Sequence, residues 1–191
     1  LVCASAIGYY GDRGEDVLPE STDPADDFLA EVCKGWEAEA QRAEGLGLRV
    51  VRLRIGLVMG DGGGALQAML PLFKAGLGGR LGDGEQWCPW IQVDDVVGLI
   101  GHALDTEAME GAYNAVSPEP VRQEEFAKTL AKVLHRPAVL PAPAFAIKTV
   151  LGSFAAELLA SRRVVPERTL ETGYAYRYTS LERALTDATS T

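Results

Sequence analysis

The fold is decided by the opening stretch LVCASAIGYYGD, residues 1–12, in which an apolar run turns polar at Ser5. Residues 1–4 are typical of the middle or end of a buried strand, because a fresh N-terminus seldom opens with an uncapped apolar run. We therefore expect a further segment to precede this strand in the natural protein. The stretch rich in Gly, Tyr and Asp from Gly8 to Gly14 predicts a functional loop at the end of the strand.

Two further segments complete a strand, helix, strand unit. Asp26 and Asp27 can cap a helix over about residues 28–44. Three large side chains of that helix recur at a spacing of four and predict its buried face: Phe28, Val32 and Trp36. Residues 49–55 form a short β-branched run of the kind that is buried on both faces of a parallel sheet. This βαβ pattern predicts an α/β fold with parallel strands.

The rest of the chain alternates turns, helices and short strands. We predict helices at about residues 65–74, 96–104 and 123–134, and strands at 90–93 and 112–116. Asp94 and Asp95 are expected to cap the second of these helices. Pro141 and Pro143 mark a linker, and short helices at about 145–151, 154–160, 166–171 and 180–186 predict a small helical cap beyond it. We therefore expect two units, residues 1–140 and 141–191.

Composition excludes several classes of function. A chain of 191 residues with 47% hydrophobic and 24% charged residues is typical of a globular protein. No run approaches the ~18 apolar residues of a membrane helix, so no membrane association is expected. The net charge of −9 disfavours nucleic acid. Three widely spaced cysteines predict reduced thiols, a cytoplasmic location and no metal site.

Ser5, Tyr9 and Tyr10 follow the carboxyl end of the first predicted strand, which is where open α/β sheets bind ligands. The Ser5 hydroxyl can hydrogen-bond a substrate oxygen, and a tyrosine with a lowered pKa can act as general acid or base. We predict catalytic roles for these three residues. The alternative is that Ser5 merely ends the strand and that both tyrosines pack beneath a loop.

A second candidate region lies between residues 82 and 95. Glycines permit close approach of the backbone to a ligand, and a capped helix follows. We predict that this region forms the substrate side of the site through Gly82, Gln86, Trp87 and Trp90. For both tryptophans the alternative is core packing.

Together these segments resemble the extended short-chain dehydrogenase/reductases. Their pattern combines a Ser-Ser-x-x-x-Tyr-Gly strand end, an Arg-containing strand ending in Gly, a Gly-Asp-Gly loop and a Val-Asp-Asp helix start. Within that superfamily the sequence is most similar to the atypical, epimerase-like family 39 branch. The matching pieces are GYYGD at 8–12, CKGWE at 33–37, RIGLVMG at 54–60, GGGAL at 62–66, GGRLG at 78–82, HRP at 135–137, and, from that branch's C-terminal extension, RVVP at 163–166 and TGY at 172–174.

The resemblance implies the C-terminal part of a Rossmann-type doubly wound parallel sheet with a small helical C-terminal cap. It also implies NADP, or NAD, as cofactor. In the family the first half of the sheet carries the glycine turn that seats the pyrophosphate, and no such turn follows a strand here. Gly60 to Gly64 is the weaker alternative cradle. We therefore expect that half to be missing and one sheet edge to be exposed. The nicotinamide side would be lined by Arg54, Gly56, Leu57 and Val58.

The family's catalytic set is Ser, Tyr and Lys, with Tyr and Lys one helical turn apart. If Glu37 fixes the register, Leu29 and Cys33 occupy the Tyr and Lys positions. Lys34 is then a nearby candidate for the ribose contact, the alternative being an exposed helix lysine. Tyr9 or Tyr10 would supply the phenol.

Family members that bind nucleotide sugars place an arginine where Cys88 stands here. A less charged substrate in an aromatic pocket is therefore expected. The predicted function is an NAD(P)-dependent oxidoreductase or epimerase-like enzyme acting on a sugar-like or small carbonyl or hydroxyl substrate, with a homodimer as a reasonable assembly. The alternative is a non-catalytic NADP(H)-binding sensor or scaffold.

Overall fold

The computed structural model describes residues 1–137, 142 and 155–190. Its centre is a parallel sheet of β1 (Val2–Ala6), β3 (Val51–Ile55) and β7 (Gly111–Ala115), in the order β1-β3-β7. The pairing of β1 with β3 runs from Val2 opposite Val51 to Ala6 opposite Ile55. The first four residues of β3 are buried, as predicted for a strand covered on both faces. The parallel α/β arrangement predicted from the opening segments is confirmed.

The remaining elements connect and cover this sheet. In chain order they are a 3-10 helix (Ile7–Tyr10), β2 (Val17–Leu18), α1 (Phe28–Gln41), a second 3-10 helix (Glu44–Leu46), β4 (Leu57–Met59), α2 (Gly64–Lys74), β5 (Trp87–Cys88), β6 (Trp90–Gln92), α3 (Val93–Asp105), β8 (Val121–Arg122), α4 (Gln123–Val133), α5 (Ala155–Leu159), β9 (Arg163–Val164), α6 (Glu167–Glu171) and α7 (Leu181–Ala188).

Helix α1 begins where the sequence predicts, but its buried face is a different one. The Asp27 side chain caps it by accepting a hydrogen bond from the amide of Ala30 at 2.9 Å. Phe28 and Trp36, however, are 79% and 55% exposed, so the face predicted from them is wrong. The buried positions are Ala30, Cys33, Glu37 and Ala40. Small side chains and a carboxylate face the sheet because the strands beneath present serine and arginine there.

The start of α3 also differs from the prediction. Gln92 is its N-cap, with its side chain accepting a hydrogen bond from the amide of Asp94, so the expectation that Asp94 and Asp95 cap the helix is wrong. Asp95 instead holds the C-terminal segment: its carboxylate accepts hydrogen bonds from the Arg177 amide at 2.7 Å and the Tyr178 amide at 2.9 Å. The carboxylate is 1% exposed and thus fully committed to this contact.

The C-terminal helices share a hydrophobic core with the preceding residues. Leu181 and Leu185 of α7 pack in one cluster with Phe126 and Leu130 of α4 and with Trp90. The helices predicted at 154–160, 166–171 and 180–186 correspond to α5, α6 and α7. The predicted helix at 145–151 and most of the linker lie outside the described residues, and the boundary at 140/141 stays a prediction.

The outer side of β1 is open in the part of the chain that the structure describes. β1 pairs with β3 alone, and Ala4 in its middle is exposed. This is the exposed sheet edge that the sequence predicts. Among the described helices, none combines the length and the apolar character needed to cross a bilayer.

Candidate functional site

A buried ion pair lies beneath the loop that follows β1. The guanidinium of Arg54 donates two hydrogen bonds to the Glu37 carboxylate, at 2.8 and 3.0 Å. It donates two more, to the Tyr10 hydroxyl at 3.0 Å and the Glu20 carbonyl at 3.1 Å. Arg54 is 4% exposed. Such a bidentate, charge-assisted pair is strong and holds the guanidinium in the protein interior, and the contact of Arg54 with a cofactor stays a prediction.

Ser5 and Tyr10, two of the predicted catalytic residues, belong to the same buried network. The Ser5 hydroxyl donates to Glu37 Oε1 at 2.9 Å, and the Tyr10 hydroxyl donates to Asn114 Oδ1 at 2.7 Å. Burial raises the pKa of Tyr10 to about 12, against the lowering effect of Arg54. Both side chains are buried and already paired. Their catalytic roles stay predictions, and their placement favours the alternative of a structural role.

Tyr9, the third predicted catalytic residue, is placed differently. It is half-buried, with its ring 3.4 Å from the guanidinium carbon of Arg54 and edge-on to Tyr10 at 5.3 Å. No hydrogen bond to its hydroxyl is found within the described ranges. The Tyr9 ring therefore stacks on the Arg54 guanidinium, and its hydroxyl has no partner among the described residues.

Lys34 lies on α1, the helix that packs against the 3-10 helix of Tyr9. Its ammonium pairs with the Glu31 carboxylate, which raises the pKa of Lys34, with smaller contributions from Asp26 and from Tyr9. Lys34 thus remains a candidate for a ribose contact, while its partial exposure and its pairing with Glu31 also fit a surface lysine.

If Glu37 fixes the register, the positions of the family's Tyr and Lys are filled by Leu29 and Cys33, which pack against the loop. A Cβ on Gly8 would lie 3.4 Å from Leu29 Cβ and 3.8 Å from Cys33 Sγ. The Cys33 thiol donates to the Ala6 carbonyl at 3.6 Å, and burial raises the pKa of Cys33. Helix α1 and the loop therefore touch where the family has a phenol and an ammonium.

Three other predicted cofactor residues follow Arg54. At Gly56 a Cβ would lie 2.9 Å from the Pro89 carbonyl oxygen, so the glycine is required by the packing of the chain. Leu57 and Val58 are half-buried in β4, where each packs against a hydrophobic cluster. Their contact with nicotinamide stays a prediction.

The predicted substrate residues are divided between core and surface. Trp90 is 1% exposed and Gln86 is 7% exposed, with Gln86 Nε2 donating to the Leu81 carbonyl at 3.1 Å. The amide of Gly82 donates to the Ala142 carbonyl at 2.9 Å. For Trp90 this placement favours the alternative of core packing. Trp87 is the member of the set that remains half-buried with its indole beside charged groups.

Several residues of the candidate site could not be predicted from the sequence. Glu20 and Asn114 join the network because the Asn114 amide donates to Glu20 Oε1 at 3.0 Å, across 94 positions of sequence. Arg122 and Arg163 flank the ring of Trp87 from two further segments. Only the alternation of arginine with apolar residues in β3 hints at a polar face of the sheet.

The site fits one end of a dinucleotide. Tyr9 and Lys34 are suited to a nicotinamide ribose, because one presents a hydroxyl and the other an ammonium. The turn from Gly60 to Gly64 does not fit a pyrophosphate, since a Cβ at Gly62, Gly63 or Gly64 would meet nothing within 4 Å and the turn is open surface. Residues 1–137, 142 and 155–190 contain no group of three or more His, Cys, Asp or Glu placed to hold a metal ion.

A parallel sheet with a tyrosine-bearing loop at its strand ends defines a short-chain dehydrogenase type of α/β protein. The chain belongs to the NAD dependent epimerase/dehydratase family, whose sequence profile matches residues 1–115, and within it to the epimerase-like family 39 branch of the extended short-chain dehydrogenase/reductases. A second profile, a domain of unknown function named DUF1731, matches residues 142–188. The family predicted from the sequence motifs is confirmed.

Individual relatives cover nearly the whole chain. The chloroplastic epimerase family protein SDR39U1 homolog of Arabidopsis thaliana is 44% identical over 97% of this chain and 53% of its own length. The epimerase family protein YfhF of Bacillus subtilis is 37% identical over 97% of the chain and 61% of its own length. The chain therefore spans about half to two thirds of these curated relatives.

A solved structure shows the same fold. The crystal structure of human epimerase family protein SDR39U1 (isoform 2) with NADPH superposes with a TM-score of 0.94 and 37% identity. The match covers 99% of this chain and 64% of the human chain. The prediction of the C-terminal part of a Rossmann-type sheet is confirmed.

Proposed function

We propose that the complete protein is an NADP(H)-dependent enzyme of the short-chain dehydrogenase type that acts on a sugar-like or small carbonyl or hydroxyl substrate. The observation that carries the proposal is the Tyr9 phenol just after the carboxyl end of β1, which stacks on Arg54 and whose hydroxyl has no hydrogen-bond partner among the described residues. The family's description as NAD dependent and the NADPH in the human relative support the cofactor.

When bound, NADP(H) would supply or accept a hydride at the substrate carbon. In the direction of reduction Tyr9 donates its proton to the carbonyl oxygen, which becomes the hydroxyl of the product, and in oxidation it takes that proton back. Arg54 positions the Tyr9 ring by stacking beneath it, and Glu37 fixes Arg54 in turn. Lys34 would contact the ribose.

Replacing Tyr9 by Phe in the complete protein tests this role. We expect NADPH binding to stay within about twofold and turnover to fall at least about 100-fold, which is the usual contribution of a general acid or base. NADPH fluorescence and its oxidation with a panel of carbonyl substrates measure the two quantities. Tyr176→Phe, which removes a phenol from a ring packed against the hydrophobic cluster of Leu99 and Met109, is the matched control. Unchanged turnover in Tyr9→Phe would exclude Tyr9 as the proton donor.

The second candidate function is a non-catalytic NADP(H)-binding sensor or scaffold. The observation that favours it is the apolar packing of Leu29 and Cys33 against Gly8, which replaces the family's phenol and ammonium. Tight NADPH binding without turnover on any carbonyl or sugar of the panel would support this candidate against the enzyme.

We further propose that the complete protein forms a homodimer in the cytoplasm. The support for the dimer is the exposure of Phe28 and Trp36, both on α1. The support for the compartment is that Cys3, Cys33 and Cys88 are all free thiols. Sedimentation of the protein with Phe28 and Trp36 replaced by Ser tests the assembly, because a dimer through this face would dissociate. Cell fractionation tests the location.

A further inference from the structure

The indole of Trp87 lies close to two guanidinium groups. The guanidinium carbon of Arg122 is 4.0 Å from the ring centroid and that of Arg163 is 4.7 Å from it. Arg122 faces Trp87 across the antiparallel pair of β5 and β8, and Arg163 comes from β9. Two cations on one aromatic ring stand out in a chain whose net charge is −9.

Glu15 closes this group from the solvent side. Its carboxylate accepts two hydrogen bonds from Arg122, both at 2.7 Å, and one from Trp87 Nε1 at 3.1 Å. These contacts, with that of Arg122 the largest, lower the pKa of Glu15. The carboxylate thus occupies an anion-binding position, where the planar guanidinium of Arg122 and the indole N–H of Trp87 are the donors.

Arg163 brings an unsatisfied hydrogen-bond donor to this anion-binding position. Its Nε is buried and has no hydrogen-bond partner within the described part of the chain. Arg163 contributes to the lowered pKa of Glu15, so the carboxylate lies within its electrostatic reach. At the ring itself, one carboxylate contacts the indole beside two guanidiniums, while Glu85 is a further acidic neighbour of Arg122.

Glu15 is held in a way that allows displacement. Its side chain is 68% exposed, whereas that of Arg122 is 30% exposed. Exposed ion pairs contribute little to stability. The backbone of the turn is held in part by Ser161 Oγ, which donates to the Gly14 carbonyl at 2.7 Å and accepts from the Trp87 amide at 3.1 Å. Neither contact involves the Glu15 side chain, so the carboxylate can leave the ring without breaking them.

We propose that Trp87, Arg122 and Arg163 form an anion clamp that Glu15 closes when no ligand is bound, and that its ligand is the carboxylate or phosphate group of a small organic molecule. The loop that carries Tyr9 continues directly into the turn of Glu15, so the clamp holds the charged end of a substrate whose other end reaches Tyr9. The assignment to the substrate rests on the proposed function, whereas anion binding does not.

Titration of the complete protein with inorganic phosphate and, separately, with acetate tests the clamp. The NMR signal of the Trp87 indole N–H, assigned through Trp87→Phe, reports occupancy, and the two titrations tell a phosphate site from a carboxylate site. Glu15→Gln is expected to bind the preferred anion about fivefold more tightly, the factor by which an exposed ion pair competes. Arg122→Gln is expected to abolish the shift.

Glu85→Gln is the matched control. Glu85 is an exposed neighbour of Arg122 whose removal changes the net charge equally but leaves the clamp closed. Equal gains in Glu15→Gln and Glu85→Gln would reduce the effect to net charge and overturn the clamp, as would retention of the shift in Arg122→Gln. NADPH binding measured on the same variants is expected to be unchanged. Its loss in all of them, wild type included, would contradict the proposed function and leave the clamp standing.

Discussion

Glu37 and Arg54 form a two-pronged ion pair, with nitrogen to oxygen distances of 2.8 and 3.0 Å, directly beneath the Tyr9 ring. Both side chains are less than a tenth exposed. Glu37 lies on α1 and Arg54 on β3, so the pair joins the helix to the central strand. The position of the phenol at the strand ends therefore depends on a contact between two elements and not on the loop alone.

Replacing Glu37 by Gln is expected to destabilise the protein by about 3–5 kcal/mol, because Arg54 is left as an uncompensated buried charge. Urea unfolding measures the change. Glu39→Gln on the same helix is the control, since Glu39 pairs with Arg42 in the open at 72% exposure and should change stability by less than about 0.5 kcal/mol. Equal effects of the two substitutions would contradict a structural role for the buried pair.

Alkaline pH is expected to destabilise the fold through Tyr10. Its folded pKa of about 12 lies above the ordinary value of 10.0 because burial disfavours the phenolate. A raised folded pKa means that this stabilisation is fully present below pH 10.0 and is lost between pH 10.0 and about 12. Burial also raises the pKa of Tyr174 and Tyr176, so absorbance near ~295 nm, where tyrosinate absorbs, should show several late-titrating phenols, one fewer in Tyr10→Phe. Titration of Tyr10 at or below its ordinary pKa would refute this expectation.

Replacing Asp95 by Asn is expected to loosen the C-terminal segment at a cost of about 1–3 kcal/mol, since an amide leaves part of the buried hydrogen bonding unmet. Hydrogen exchange of the Arg177 and Tyr178 amides should speed up. Asp94→Asn is the control, because Asp94 makes an exposed ion pair with the Arg177 side chain. If the amides exchanged equally fast in both variants, the loss of one negative charge would explain the effect, and Asp95 would not be the residue that anchors the C-terminal segment.

Replacing Gly56 by Ala is expected to destabilise the protein by about 1–3 kcal/mol through overpacking. The added methyl would lie 2.8 Å from Val116 Cγ1 and 2.9 Å from the Pro89 carbonyl oxygen. Gly62→Ala, whose methyl would meet nothing within 4 Å, should leave the thermal midpoint unchanged. If Gly56→Ala were also neutral and weakened only NADPH binding, Gly56 would be a cofactor residue as the sequence predicts.

The sequence predicts the sheet and the start of α1 because these depend on local signals. The strands β1 and β3 lie in short segments rich in apolar and β-branched residues, and Asp27 is a preferred capping residue. The buried face of α1 could not be predicted in the same way, since hydrophobic spacing assumes an apolar partner. The sheet presents Ser5 and Arg54 to that helix, and the matching residue is Glu37.

The candidate site is predictable only in part for a related reason. Tyr9 stands out because it follows a strand end, but the sequence does not distinguish it from Tyr10. The two tyrosines differ in the fold, where Tyr10 is buried and its hydroxyl is hydrogen-bonded. Trp87 stands out as an aromatic residue in a glycine-rich region. Its partners Glu15, Arg122 and Arg163 come from three distant segments, and only the folded chain brings them to one ring.

The shared core of α4 and α7 sets an order of events during synthesis. Phe126 and Leu130 leave the ribosome about 50 residues before Leu181 and Leu185, the side chains that cover them. Until the later residues emerge, the face of α4 is open to water and to chaperones. A premature stop codon before residue 181 would leave it open permanently, so we expect such a product to aggregate or be degraded although it carries every residue of the sheet.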